Sequence, residues 1–159
     1  MNRKTVWLTQ GALVAALYVV LTFVSQLMGL ASGVIQLRLS EALTVLPVFF
    51  PAAVPGLYVG CLLGNLLTGC APWDVVLGSF ATLLGALGTR YFGKNLYLAV
   101  LFPILANTVI VPFVLQYIYH ASGTLPYFML TVGVGELLSC GVLGGLLHYA
   151  LKKSKFFKR

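Results

Sequence analysis

Residues 35–67 read IQLRLSEALTVLPVFFPAAVPGLYVGCLLGNLL, with Pro47, Pro51 and Pro55 spaced four apart. As a single helix these 33 residues would run about 50 Å. That overshoots a hydrocarbon core of roughly 30 Å. Proline at every fourth position also removes backbone donors and clashes with the preceding turn. The stretch therefore divides into two short helices, near 37–50 and 53–69, and the division sets the parity of the whole chain.

Working outward, Val6 to Leu30 is an uncharged run long enough to cross a bilayer, and further apolar runs lie near 72–90, 95–118 and 124–151. With the first near 6–30, this makes six. The chain has 159 residues, 60% hydrophobic and 8% charged, against about 25% charged in a soluble domain. So few charges cannot tile a water-facing surface. The expected fold is an all-α membrane protein: one transmembrane domain over 1–159, a bundle of six transmembrane helices. The first run is too long for a signal peptide and no A-x-A site precedes charged sequence, so it is read as the first span.

Charge sets the expected direction. Five of the ten basic residues fall in the last eight positions (Lys152, Lys153, Lys155, Lys158 and Arg159), and Arg3 and Lys4 stand at the other end. An even number of spans puts both termini in the cytoplasm together with Arg90 and Lys94, leaving Arg38 alone outside, as the positive-inside rule favours. The expected location is the cell membrane, multi-pass. The net charge of +7 then describes membrane flanks. No aromatic-basic interleaving suited to stacking bases accompanies it, and nucleic acid is not an expected partner.

Catalytic devices are missing from the pattern. There is no G-x-x-x-x-G-K-[ST] loop, G-x-S-x-G elbow or H-E-x-x-H pair, so enzyme activity is not expected. Cys61, Cys70 and Cys140 form no CxxC pair and lie far in sequence from His120 and His148, which argues against a metal site or disulfide framework. No cofactor is expected.

Small residues mark packing faces. Gly56, Gly60 and Gly64 recur every four positions and cut a groove along one helix, and Gly141 and Gly145 repeat the spacing near the C-terminus. Both are read as internal helix packing. Gly11, Ala12, Ala15 and Ala16 form overlapping small-xxx-small pairs, and two uses stand: internal packing, or docking of another membrane protein.

The six-span topology carries all three acids to the middle or outer half of the bilayer. A carboxylate at that depth costs about 2.5–3.5 kcal/mol, which makes it a functional candidate. Glu136 is the clearest, with no basic residue within two turns. Asp74 follows Pro72 and Trp73 at a helix start, where capping competes with a ligand role. Glu41 stands three residues after Arg38, an ion-pair spacing on a helix, at the mouth of the bundle. Asn65 and Asn107 either bridge helices or bind solute. Trp73 and Tyr127 are belt residues or a lid that stacks on a planar ring. The acids, amides and aromatics together suit a planar, N–H-rich, cationic small molecule.

Six short spans, basic inner ends and the motif Gly11-Ala12-Leu13-Val14-Ala15-Ala16 resemble the substrate-binding (S) components of energy-coupling factor (ECF) importers. More narrowly, Arg38-Leu39-Ser40-Glu41-Ala42-Leu43, Asp74-Val75-Val76-Leu77-Gly78-Ser79 and Gly135-Glu136 resemble the QueT family. The resemblance implies high-affinity capture of queuosine, queuine or a 7-deazaguanine precursor outside the cell. It further implies docking on an ECF T component with two ATPase subunits, and inward release by toppling. Ala12, Ala15 and Ala16 would be the docking surface, with Gly11 a small departure from the all-alanine form. Glu136 would accept the guanine-like N1–H and amine, Asp74 or Glu41 would pair with the cationic 7-substituent, and Asn65 and Asn107 would read the remaining ring atoms. Competing readings are an S component for another planar vitamin (thiamine or riboflavin), a stand-alone secondary transporter, which should show internal repeats, and an intramembrane enzyme.

Overall fold

A computed structural model describes residues 2–31 and 35–154. The basic residues Lys155, Lys158 and Arg159 lie outside the described residues. Helix α1 (Arg3–Leu27) is followed by a 3₁₀ helix (Leu39–Val48), α2 (Ala53–Leu67), α3 (Pro72–Phe92), α4 (Leu96–Tyr117) and α5 (Leu125–Glu136). From α5 the chain runs on through a π-helical stretch (Leu137–Leu143) into α6 (Gly144–Lys153). Among the described residues no strand is present. Four helices are long and apolar enough to cross a membrane: α1, α3, α4 and the continuous helix Leu125–Lys153.

The burial pattern is that of a lipid-solvated bundle. Leu8, Leu27, Leu130 and Leu146 are each more than 60% exposed, while Ser40, Glu41, Thr44, Ser79 and Thr89 are almost wholly buried. Polar groups inside and large aliphatic groups outside would be an aggregation hazard in water. In hydrocarbon the same arrangement lets most polar groups find partners inside the bundle, though the Ser40 and Thr108 hydroxyls do not.

The division of residues 35–67 holds, with Pro51 in the break and Pro55 in the first turn of α2, where its missing N–H costs no bond. The first half departs from a short spanning α-helix. It is a 3₁₀ helix of 10 residues, about 20 Å long, and it is the central plug of the bundle. Ser40, Glu41 and Leu43 to Pro47 are all buried in it, and it touches α1, α2, α3, α4, α6 and the π stretch. Three residues per turn stack Glu41, Thr44 and Pro47 on one line, and Thr44 Oγ1 donates back to the Glu41 carbonyl at 2.6 Å.

The glycine groove on α2 packs against α1. A Cβ on Gly56 would stand 2.6 Å from the Gly11 carbonyl oxygen, and one on Gly60 would stand 2.7 Å from Tyr18 Cβ and 3.0 Å from Ala15 Cα. The expected counterpart at Gly141 and Gly145 is corrected. Nothing lies within 4 Å of a Cβ on Gly141, and only the tip of Leu96 approaches one on Gly145. The widened π turn presents Gly144 instead, against Val45 and the Ala42 backbone.

The basic ends gather on one side of the bundle. The Ala52 carbonyl lies against Gly11 in the first half of α1. Arg90 Nη1 donates to the Pro47 carbonyl at 3.1 Å, and Lys94 and Lys152 line one cavity with Phe49. Arg38 lies at the opposite end, beside Asp74 and Tyr119.

Candidate functional site

Two connected cavities open at that opposite end. The outer one, a vestibule of about 350 Å³, is walled by Gln26, Gln36, Arg38, Asp74 and Tyr119 among others. The inner one is a crevice of about 20 Å³ that shares Gln36, Arg38, Asp74 and Val111 with the vestibule and adds Glu41, Asn107 and Glu136 at its base. Every acid of the chain therefore lines one continuous cleft.

Glu41 is presented by the 3₁₀ plug. The Tyr18 hydroxyl of α1 donates to its Oε1, and Asn107 Nδ2 of α4 donates to its Oε2 at 3.3 Å. Glu136 ends α5 where the π stretch begins. Cys140, one turn on, donates its thiol to Glu136 Oε2 at 3.2 Å and contacts the Glu41 carbonyl at 3.5 Å. Ser139 Oγ accepts from the Arg38 backbone N–H at 3.2 Å. A π stretch changes which residues face inward, and such turns recur at functional sites. The Gln36 carbonyl lies directly against Gly135, where a Cβ would collide with it. Gly135 thereby lets the chain leading to Arg38 lie flat on α5.

Arg38 and Glu41 do not form the ion pair their spacing allowed. Arg38 is the extended N-cap residue, at φ −109° and ψ 109°; its carbonyl accepts the Glu41 N–H at 3.1 Å, but its side chain leaves in a different direction from that of Glu41. Its Nη1 donates to Asn65 Oδ1 at 3.4 Å. Asn65 is 1% exposed and also contacts Cys61 Sγ at 3.5 Å. It holds Arg38 rather than lining the cleft.

Asp74 makes no capping bond to the start of α3. Its Oδ2 accepts from the Tyr119 hydroxyl at 2.8 Å, and that hydroxyl also accepts the Ala71 N–H at 3.0 Å. Tyr119 lies in the turn beyond α4, and partial burial, opposed by the Ala71 bond and reinforced by the Asp74 carboxylate, pushes its phenol up to about 12.

Trp73 points away from the cleft, 66% exposed, and Tyr127 is 46% exposed with its ring edge against Phe128 at 5.7 Å. Neither lines the cavities, and both fit the belt alternative. The α1 motif divides. Gly11 and Ala15 face the α2 glycines, with Ala15 8% exposed, whereas Ala12 and Ala16 are exposed.

Sequence reasoning missed Tyr18, Gln36, Tyr119, Ser139 and Cys140. The last two stand three and four residues after Glu136, the same face of a helix, and that spacing was readable. Loop residues such as Gln36 and Tyr119 carry no periodic signal. Glu41, Glu136 and Cys140 bring ligand atoms within 4.8 Å of one another. In this arrangement the thiol serves as a hydrogen-bond donor to the carboxylate.

Residues 8–153 match the family described as QueT transporter. A protein of Lactococcus lactis subsp. cremoris (strain MG1363) named "Queuosine precursor transporter QueT" is 37% identical over 93 residues, which covers 57% of this chain and 54% of that protein. The aligned part thus spans about half the length of this curated relative. No solved structure matches. With the family match running through nearly the whole described bundle, from α1 to the end of α6, the chain belongs to the QueT transporter family.

Proposed function

We propose that this chain is the substrate-binding membrane subunit of an ECF-type importer, capturing queuosine or a 7-deazaguanine precursor from outside the cell. The observation that carries the reading is the paired burial of Glu41 and Glu136 around Asn107 at the foot of a vestibule walled by Asp74 and Arg38. Buried carboxylates are costly, and an N–H-rich planar ligand offsets that cost with charge-assisted hydrogen bonds.

In this reading the ring stands in the vestibule with its guanine-like edge toward the crevice. Glu136 accepts N1–H and the exocyclic amine, while Asn107 reads the neighbouring ring atom. Asp74, nearer the mouth, pairs with the cationic 7-substituent. Glu41, already engaged by Tyr18 and Asn107, fixes Asn107, and Asn65 acts through Arg38.

The remaining proposals concern direction and partners. The single domain of residues 1–159 crosses the membrane six times, with the basic end of the bundle and both termini in the cytoplasm and the vestibule outside. The exposed Ala12 and Ala16 offer the surface for an ECF T component, which carries two ATPase subunits and supplies the energy. Gly11 and Ala15 shape that helix by packing on α2. The chain itself is not an enzyme.

Calorimetric titration of the purified protein with a 7-aminomethyl-7-deazaguanine, queuine, thiamine and riboflavin tests the substrate class. Binding of the two deazaguanines alone is expected. Binding of thiamine or riboflavin in their place overturns it. Uptake into vesicles that lack any ATPase would replace the importer-subunit reading with that of a secondary transporter.

A further inference from the structure

The end of the bundle remote from the vestibule holds another cavity, of about 430 Å³. Its wall carries Lys94, Asn95, His148 and Lys152, and its floor is apolar, with Phe49 and Leu96. The 21 residues of α3, about 30 Å of helix, separate it from Asp74, so it is independent of the cleft.

Four features point to one kind of occupant. The lysines are exposed, and all three acids of the chain line the cleft at the other end, so no carboxylate side chain of the protein answers them. The cavity sits against the start of α4, where Asn95 caps the helix through Leu98 N–H at 3.0 Å and the dipole presents its positive end. His148 packs its ring on Phe49 at 5.2 Å and so extends the apolar floor. Tyr91, Tyr97 and Tyr149 flank this end, each more than two-thirds exposed, as aromatic residues do at headgroup level.

We propose that this cavity binds the phosphodiester headgroup of an anionic phospholipid from the adjoining leaflet. Lys94 and Lys152 flank the phosphate, the α4 N-terminus adds its dipole, and the apolar floor receives the first carbons of the acyl chains. A free phosphate shares the anionic chemistry but makes no use of the Phe49–Leu96 floor or the tyrosine girdle.

The test uses the full chain, delipidated and offered equal phosphatidylglycerol and phosphatidylcholine, with bound lipid counted by native mass spectrometry. Retention of one phosphatidylglycerol is expected. K94Q/K152Q should lower that preference roughly thirtyfold, each lysine counting for about a factor of five against an anionic headgroup, while K4Q keeps it. A photoactivatable phosphatidylglycerol should crosslink to 94–97 and 148–152 in the unaltered protein, which needs no variant to fold. Equal retention of both lipids, an unchanged K94Q/K152Q, crosslinks elsewhere, or displacement of the lipid by millimolar inorganic phosphate would each overturn the proposal.

Discussion

The hydroxyl of Tyr18, in the middle of α1, donates to the carboxylate of Glu41 on the 3₁₀ plug, across 23 residues of sequence. Both side chains are 1% exposed. The bond ties the first helix to the segment that carries the candidate site. Removing the donor leaves a buried acceptor short of a partner, at a cost of about 1–3 kcal/mol. Tyr18→Phe is expected to lower the thermal midpoint of the detergent-solubilised protein. An unchanged midpoint would mean that Asn107 alone satisfies Glu41.

Glu136→Gln keeps shape and removes charge. Hydrogen bonds to charged groups contribute about 1.5–3 kcal/mol, so affinity for a 7-deazaguanine should fall roughly 10- to 150-fold. Titration calorimetry reads the change, and unaltered affinity would remove Glu136 from the site.

Trp73→Ala serves as the matching control. Its ring points outward from α3, so affinity is expected to stay within about twofold. A larger loss would restore the stacking-lid role the structure withholds from it.

Gly60 and Gly141 make a paired test of packing. Gly60→Ala forces a methyl against Tyr18 and the Ala15 backbone, and overpacking of this kind costs about 1–3 kcal/mol. Gly141→Ala enters open space and should leave stability unchanged or slightly higher. Equal effects in thermal melts would contradict the α1–α2 contact.

The Tyr119 phenol bridges Asp74 and the Ala71 N–H at the vestibule mouth. Its pKa rises from the usual 10 to about 12. The folded state thus holds this proton more tightly than the unfolded chain. Its stabilisation is complete below pH 10 and is lost as pH climbs toward 12. Absorbance titration of the tyrosinate band should show a phenol titrating near pH 12 that is missing in Tyr119→Phe.

Composition and proline spacing alone pointed to an all-helical chain apolar enough for a membrane, and the six expected runs fall on observed helical stretches, the second as a 3₁₀ helix and the last interrupted by the π stretch. Apolar length and helix breaking are local properties, so they are written along the chain. The acids stood out in the sequence because charge in hydrocarbon is costly wherever the chain runs. Only the tertiary structure decided their partners. Arg38 caps the helix on which it was expected to pair with Glu41, and the two side chains leave in different directions, Arg38 to Asn65 and Glu41 to Tyr18 and Asn107. Trp73 and Asp74 are neighbours in sequence, yet successive helical residues diverge by about 100°, and the bundle chose Asp74 for the cleft and left Trp73 outside. Which face of each helix turns inward is a cooperative outcome of packing all of them at once, and no single stretch of sequence contains it.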